Sequence, residues 1–480
     1  MKILFAVAEC LPFIKTGGLA DVAGALPAEL AKAGHEVRIL MPGYDRIDKS
    51  GFRASSSPFT VNHMGRDIGM SLMESGRIPG VKTVLVCCDS LFHRGVLYGE
   101  PDDRHRFTVF CKAVMAYMVN QDWYADIVHC HDWHTALLPV YIRTAADYDP
   151  VWKKVRSIFT IHNLGYQGVF PPETVRDAGL DMGLFNSDAL EYYGQANLMK
   201  GAIAFADKIT TVSPTYAREI LTPSFGEGLD GILRKRQGDL TGILNGLDYR
   251  LWDPAQDMAL PARFSRYRQE GKAVCKRELL AGLGIDAAPD APVLGIVSRL
   301  CRQKGFDALM YGMRDLLSYS DAIFIAQGTG DREYEDMMTA LAADFPRSVR
   351  HIARYSEAMA RRVYAGSDMF LMPSRYEPCG LGQMIALRYG ALPFVHRTGG
   401  LSDTVTDADS SAAAPNGFVF DSLDPGVVKE QLWRAYLKYK REPEEWAALR
   451  SAALECRFGW DKSVAEYERV YRSCFEEPAQ

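Results

Sequence analysis

The chain has 480 residues, room for two or three domains, and its 48 % hydrophobic and 24 % charged fractions match an ordinary globular protein and exclude wholesale disorder. Fifty-five basic against 60 acidic residues give a net charge of −5, which leaves no electrostatic footprint for nucleic acid or an anionic membrane. Any anionic ligand must therefore be held by a local cluster of cations or backbone amides.

The apolar start, Met1-Lys2-Ile3-Leu4-Phe5-Ala6-Val7-Ala8, is cut by Glu9, Pro12 and Lys15 and reads as a buried strand, not a signal peptide. Further strands are predicted over residues 37–41, 84–87, 127–129, 157–160 and 209–212, with helical periodicity over 19–33 and 107–119. The same alternation restarts at 293–297 and continues through 323–327, 369–372 and 392–395. Strand, helix, strand repeated in this way predicts parallel sheets with right-handed crossovers, and two runs predict two doubly wound α/β domains. The boundary is expected within 245–292, which holds Asn245-Gly246, Asp253-Pro254 and a charged helix near 267–280. From Trp460 onward, Tyr467, Val470 and Tyr471 at helical spacing predict a closing helix, with residues 476–480 frayed. No uncharged apolar run approaches the roughly 18 residues of a membrane span. Ten cysteines without a C-x-x-C pair, and no N-x-[ST] sequon, suit a reducing cytoplasm and no membrane association.

Ligands of doubly wound sheets collect beyond the carboxyl ends of the strands, so the loops there carry the candidate chemistry. The first is Lys15-Thr16-Gly17-Gly18-Leu19-Ala20-Asp21, where two glycines open a helix and bring amides and a lysine toward an anion; a plain turn is the alternative. Arg299, Arg302 and Lys304 share one short loop and suit a diphosphate, against the reading of a solvated charged loop. Gly328-Thr329-Gly330-Asp331 is expected to bring backbone close to a ligand. Gly226-Glu227-Gly228-Leu229-Asp230-Gly231 matches G-x-G-x-x-G but follows a loop, so it fails as a dinucleotide fingerprint. His129-Cys130-His131-Asp132-Trp133-His134 could suggest a metal, but no third ligand is identified, and Asp132 is assigned to a sugar hydroxyl. His162 and Asn163 lie directly beyond a strand. In Pro373-Ser374-Arg375-Tyr376-Glu377-Pro378-Cys379-Gly380-Leu381, Glu377 is presented by a turn while a helix starting near Gly380 aims amides of Cys379, Gly380 and Leu381 at a phosphate. Gly399-Gly400 repeats the strand, Gly-Gly, helix device.

Together, K-T-G-G-L-A-D-V at Lys15, H-D-W-H at His131, I-H-N-L-G-Y-Q-G at Ile161, L-N-G-L-D at Leu244, S-R-L-x-x-Q-K-G at Ser298, P-S-R-Y-E-P-C-G-L at Pro373 and R-T-G-G-L-S-D-T-V at Arg397 resemble bacterial glycogen synthases and plant starch synthases. The resemblance runs in order along nearly the whole chain. It implies the GT-B fold, two doubly wound Rossmann-like domains facing each other across a deep cleft. The implied division is 1–247 for the acceptor side, 248–459 for the nucleotide sugar, and 460–480 as a helix packing back toward the N-terminal domain.

The implied reaction is retaining transfer of glucose from ADP-glucose to the non-reducing end of an α-1,4-glucan, glycogen or a maltooligosaccharide, with no metal or other cofactor. By the same resemblance, Glu377 stabilises the transition state, Arg299 and Lys304 neutralise the diphosphate, and His162 and Asn163 hold the glucose. Lys15, Gly17 and Gly18 assist at the diphosphate. Asp132 and Asn245 take sugar hydroxyls, Tyr355 stacks on adenine, Cys379, Gly380 and Leu381 hold phosphate or sugar oxygens, and Asp21 lies near the acceptor. Departures from the family pattern are Ile385 in place of a second glutamate, Gln327 before Gly328, and Asp103 in place of asparagine in an acceptor-side loop. Other readings are a related enzyme using UDP-glucose or another acceptor, or an idle glucan-binding protein; the presence of Lys15, Arg299, Lys304 and Glu377 disfavours the last.

Overall fold

The structure, a computed structural model, describes residues 1–55, 57–411 and 414–476. It divides into two compact α/β units, Met1–Gly246 with the segment from Trp460 onward, and Leu247–Gly459. Residues 477–480, part of the segment expected to fray, lie outside the described residues.

In the first unit the strand order is Leu240–Gly242, Lys208–Thr211, Arg156–Ile161, Ile127–His131, Lys2–Ala6, Glu36–Pro42, Val81–Cys87, Arg66–Ser75, Arg53–Ala54, with Phe59–His63 paired on Arg66–Ser75. Every pairing from Leu240–Gly242 to Val81–Cys87 is parallel. Apart from the edge strand Leu240–Gly242, these strands are largely covered on both faces, which is why most of them read as apolar runs.

Beyond Val81–Cys87 the sheet turns antiparallel, where the sequence predicts parallel pairing throughout. The reason is connection length. Residues 76–80 are too few for a crossover, which needs about a dozen residues, so the chain can only fold back as a hairpin. Met64 and Gly65, with φ of 53° and 75°, form the tight turn of the adjoining hairpin. A second antiparallel sheet, Glu191–Tyr192, Gln195–Asn197 and Val169–Phe170, has strands too short for a period-two pattern to reveal.

The helix Trp460–Ser473 belongs to this first unit. Trp460, Tyr467 and Tyr471 are buried, and a Cβ placed on Gly246 would lie 2.5 Å from Trp460 Cγ. Ser463 Oγ donates to the Leu244 carbonyl at 2.6 Å, and the Tyr471 hydroxyl is 2.9 Å from His129 Nδ1.

The second unit holds one fully parallel sheet in the order Val349–Ile352, Ile323–Gln327, Val293–Val297, Met369–Met372, Leu392–His396, Phe418–Phe420. In each unit the strand order reverses once around its first strand, between Lys2–Ala6 and Ile127–His131 and between Val293–Val297 and Met369–Met372. Loops diverge at such a reversal and leave room for a ligand, which places the sites sought below. No helix among the described residues is long and apolar enough to cross a membrane.

Trp460→Ala should destabilise the first unit by about 3–5 kcal/mol, the cost of truncating a buried tryptophan. The exposed neighbour Lys462, changed to Ala, should stay within about 0.5 kcal/mol of the parent. Denaturant midpoints of both variants, followed by circular dichroism, check the contrast.

Candidate functional site

In the second unit, Val293–Val297 runs into the turn Arg302–Lys304, and Met369–Met372 runs into residues 373–381. The two loops are stitched by backbone. Arg375 N–H donates to the Gln303 carbonyl at 2.8 Å, and Gln303 Nε2 donates to the Tyr376 carbonyl at 3.2 Å. Gly305, at φ 67°, passes so near that a Cβ would sit 1.9 Å from the Pro373 oxygen. This brings Lys304 Nζ to 2.6 Å from Glu377 Oε2, which also accepts from Ser374 Oγ at 2.8 Å. Glu377 is 6 % exposed, and its Oε1 has no protein partner among the described residues. One carboxylate oxygen is thus anchored while the other is left for a ligand. Glu377 is buried and Lys304 half-buried, so removing the lysine would leave the carboxylate charge poorly compensated.

The glycines of this unit mark where backbone packs on backbone. Cβ atoms on Gly399 and Gly400 would each lie 2.0 Å from a carbonyl oxygen, of Glu377 and Cys379 respectively. Cβ atoms on Gly328 and Gly330 would lie 1.9 Å and 2.0 Å from the oxygens of Ser298 and Leu300. These pairs let loop backbone press on loop backbone, and they buttress the Glu377 turn and the Arg299 loop. The helix expected near Gly380 starts at Gly382, because Gly380 is at φ 71° and Gln383 Nε2 holds the Cys379 and Gly380 carbonyls at 3.0 and 2.9 Å. Arg299 is exposed on its loop, and Tyr355, 61 % exposed, stands on the separate loop after Val349–Ile352.

In the first unit the residue that organises the loop after Lys2–Ala6 is Glu9, which the sequence reading passed over. It is 2 % exposed and accepts from the Thr16 amide, from Thr16 Oγ1 at 2.6 Å, and from the Gly17 amide at 3.2 Å. Burial raises its carboxyl above the usual range. The Gly17 amide, expected to face an anion, is therefore turned onto an internal carboxylate. Lys15 Nζ lies 2.7 Å from Asp21, so these two site residues neutralise each other. A charged residue directly after a fully buried strand at the sheet's reversal was the available signal for Glu9.

Asp132, Asn163 and His162 do come together. Asp132 Oδ1 accepts the His162 amide at 2.8 Å and the Asn163 amide at 3.4 Å. Its backbone, at φ 54° and ψ −178°, occupies a region otherwise left to glycine, the kind of strain that survives only where surroundings enforce it. Burial lifts its carboxyl to about 7, against the two amides that pull it down. Its first role is thus to fix the His162 loop. Asn163 Oδ1 closes its own turn by accepting from Gly165 N–H at 2.9 Å. His162 Nε2 is 2.9 Å from His131 Nδ1, and burial holds both imidazoles neutral, His162 at about 3. His134 packs among Tyr98, Phe107 and Trp133. Asn245 is buried, and its Oδ1 has no partner among the described residues.

Asp103, expected in an acceptor-side loop, faces inward: Oδ2 accepts the Gly99 amide at 2.6 Å and Oδ1 pairs with buried Arg106 at 2.5 Å. Among the described residues no group of three or more His, Cys, Asp or Glu side chains is placed to hold a metal ion. Asp407 and Asp409, a D-x-D spacing, each lie 2.6 Å from Arg434.

Residues 2–235 match the starch synthase catalytic domain family and residues 285–448 the group 1 glycosyl transferases. The chain is 44 % identical over 478 residues to the glycogen synthase of Geotalea daltonii, covering 98 % of each, and 41 % identical over 479 residues to that of Bacillus cereus, covering 99 % of this chain and all of the relative. Among solved structures, the catalytic domain of starch synthase IV from Arabidopsis thaliana, bound to ADP and acarbose, matches with a TM-score of 0.92 at 33 % identity over 99 % of both chains. Sucrose-phosphate synthase from Thermosynechococcus elongatus, at 16 % identity and a TM-score of 0.62, shares the fold.

Two Rossmann-like units with cationic and carboxylate side chains at their strand reversals define a GT-B glycosyltransferase. The chain belongs to the family of bacterial glycogen synthases and plant starch synthases, and glycogen-synthase function goes with that membership.

The Asp132 carboxyl titrates higher in the folded chain than in the unfolded one, so its contribution to stability is complete at about pH 4 and is lost as pH rises through about 7. Asp132→Asn keeps a carbonyl oxygen for both amides and cannot ionise. It should gain stability relative to the parent chain between about pH 4 and 8. A pH series of denaturant midpoints on both proteins reads this; a difference flat across that range would contradict the enclosed setting of Asp132.

Proposed function

We propose that the chain transfers glucose from ADP-glucose to the non-reducing 4-hydroxyl of an α-1,4-glucan, glycogen or a maltooligosaccharide, with retention at the anomeric carbon and release of ADP. The observation that carries this reading is the Lys304–Glu377 pair, a cation and a half-free carboxylate fixed 2.6 Å apart at the strand reversal of the second unit. The ADP and acarbose bound to the Arabidopsis relative support the same donor and acceptor classes.

Lys304, with Arg299 on the same loop, takes the charge that builds on the diphosphate as the C1–O bond breaks and its electron pair leaves with ADP. Glu377 Oε1 meets the positive charge developing on the glucosyl ring. The acceptor oxygen bonds C1 from the face the phosphate leaves, and its proton passes to the departing phosphate oxygen. His162, Asn163, Asp132 and Asn245 bind sugar hydroxyls, with neutral imidazole suited to that task. Tyr355 stacks on the base. Cys379, Gly380 and Leu381 line the Glu377 turn and hold phosphate or sugar oxygens, Lys15 and Gly18 assist at the diphosphate, and Asp21 lies near the acceptor. No metal is needed where two side-chain cations already serve the leaving group. Ten thiols without a disulfide fit work in the cytoplasm.

Glu377→Gln should lower kcat by more than about 10²-fold with little change in KM for ADP-glucose. Arg299→Ala and Lys304→Ala should each raise the barrier by about 2–4 kcal/mol, seen chiefly in kcat. Activity should persist in excess chelator, and the product linkage should be α by NMR. A Gln variant with near-normal turnover would reduce Glu377 to a turn residue, and preference for UDP-glucose over ADP-glucose would overturn the donor.

A further inference from the structure

Gln327 closes the strand Ile323–Gln327 in the middle of the second unit and is fully buried, an unusual place for a primary amide. Its Nε2 donates to two carbonyls, Arg354 at 3.3 Å and Ser356 at 2.9 Å. Those two carbonyls flank Tyr355. Because both partners are acceptors, the amide orientation is fixed by chemistry: the nitrogen faces the loop. Oε1 is buried without a partner, so the side chain is kept for what its nitrogen does.

The loop held this way is only residues 353–356, between Val349–Ile352 and the helix Glu357–Gly366. Arg354 N–H donates to the Ile352 carbonyl at 2.8 Å, and Ser356 caps the helix by accepting the Met359 amide at 3.4 Å. Gly328 N–H, next to Gln327, donates to the Ile352 carbonyl at 3.1 Å. The ends of the loop are thus fixed by backbone bonds and by the helix cap, while the carbonyls on each side of Tyr355 both accept from one side chain of the neighbouring strand. A leucine at 327 would offer those carbonyls no donor.

We propose that Gln327 is a positioning residue that pins the loop carrying Tyr355 and thereby sets the affinity for the nucleotide half of the donor. This rests on the reading of Tyr355 as the platform for the base. A pinned platform loses little freedom when the base stacks on it, so unpinning should weaken donor binding without touching the chemical step.

The test compares Gln327→Leu, Tyr355→Ala and the double variant in the full-length enzyme. Hydrogen exchange of residues 350–360 in the free protein should rise in Gln327→Leu while the rest of the second unit stays protected. KM for ADP-glucose and Kd for ADP should rise about three- to tenfold, as expected for losing one or two neutral hydrogen bonds, with kcat within about twofold. In the Tyr355→Ala background, Gln327→Leu should add nothing further. Unchanged exchange at 350–360 would overturn the pinning itself. If Tyr355→Ala raises KM and Gln327→Leu does not, the proposal fails while the base platform stands. If exchange rises yet Tyr355→Ala leaves KM unchanged, the platform reading fails and the link to donor affinity fails with it.

Discussion

The Lys304 ammonium and the Glu377 carboxylate meet at 2.6 Å inside a turn closed by contacts too tight for any side chain. Gly305 against the Pro373 carbonyl, Gly399 against that of Glu377 and Gly400 against that of Cys379 leave room for a hydrogen and nothing larger. A parallel sheet makes this crowding unavoidable. All its strands end on one side, and at the strand reversal two loops leave from neighbouring strands with no helix yet between them. The polar groups of the crowded backbone must then bond to each other, as Gln303 and Arg375 do. The ion pair is an outcome of that packing, and its geometry is fixed before any ligand arrives.

Preorganisation of this kind explains why a charge pair of uncertain benefit to stability is kept. Desolvating a lysine and a glutamate costs several kcal/mol each, and an apolar pair of similar volume would often serve the fold as well. For chemistry the balance differs. A cation and a carboxylate oxygen held within a turn need no reorganisation as charge separates in a transition state, and charge stabilisation is worth most where water is excluded. Ser374 and Lys304 share one oxygen of Glu377, so the other keeps a defined direction without being consumed by the protein.

The central strands were legible because burial on both faces removes all alternation, as in 3–8 and 323–327. The loops bearing Lys304 and Glu377 were legible because they follow such strands. Less visible was the purpose of the glycine pairs. A glycine that admits a phosphate and one that admits a carbonyl oxygen look alike in sequence, and Gly328, Gly330, Gly399 and Gly400 are of the second kind. The antiparallel edge was hidden because connection length, not composition, decides whether a strand returns beside its predecessor. Glu9 and Gln327 stand out in the sequence, one as a charge after a buried run and the other as a departure from the family pattern, but their roles were hidden for a third reason. Each acts on backbone amides or carbonyls of a loop elsewhere, and a backbone partner leaves no mark in the side-chain sequence.

That last kind of contact divides the chemistry of the two units. In the first, Glu9 occupies the Thr16 and Gly17 amides, Asp132 occupies those of His162 and Asn163, and Asp21 pairs with Lys15. Four loop amides are thereby taken by internal carboxylates, and the imidazoles of His131 and His162 are held neutral. Carboxylates and neutral imidazoles such as those of Asp132 and His162 suit a ligand rich in hydroxyls, which can both donate to carboxylates and accept from imidazole N–H groups. The second unit keeps Arg299 exposed and Lys304 bound to a single carboxylate. Which loop amides stay open in each unit therefore follows from which carboxylates the fold places under which loops.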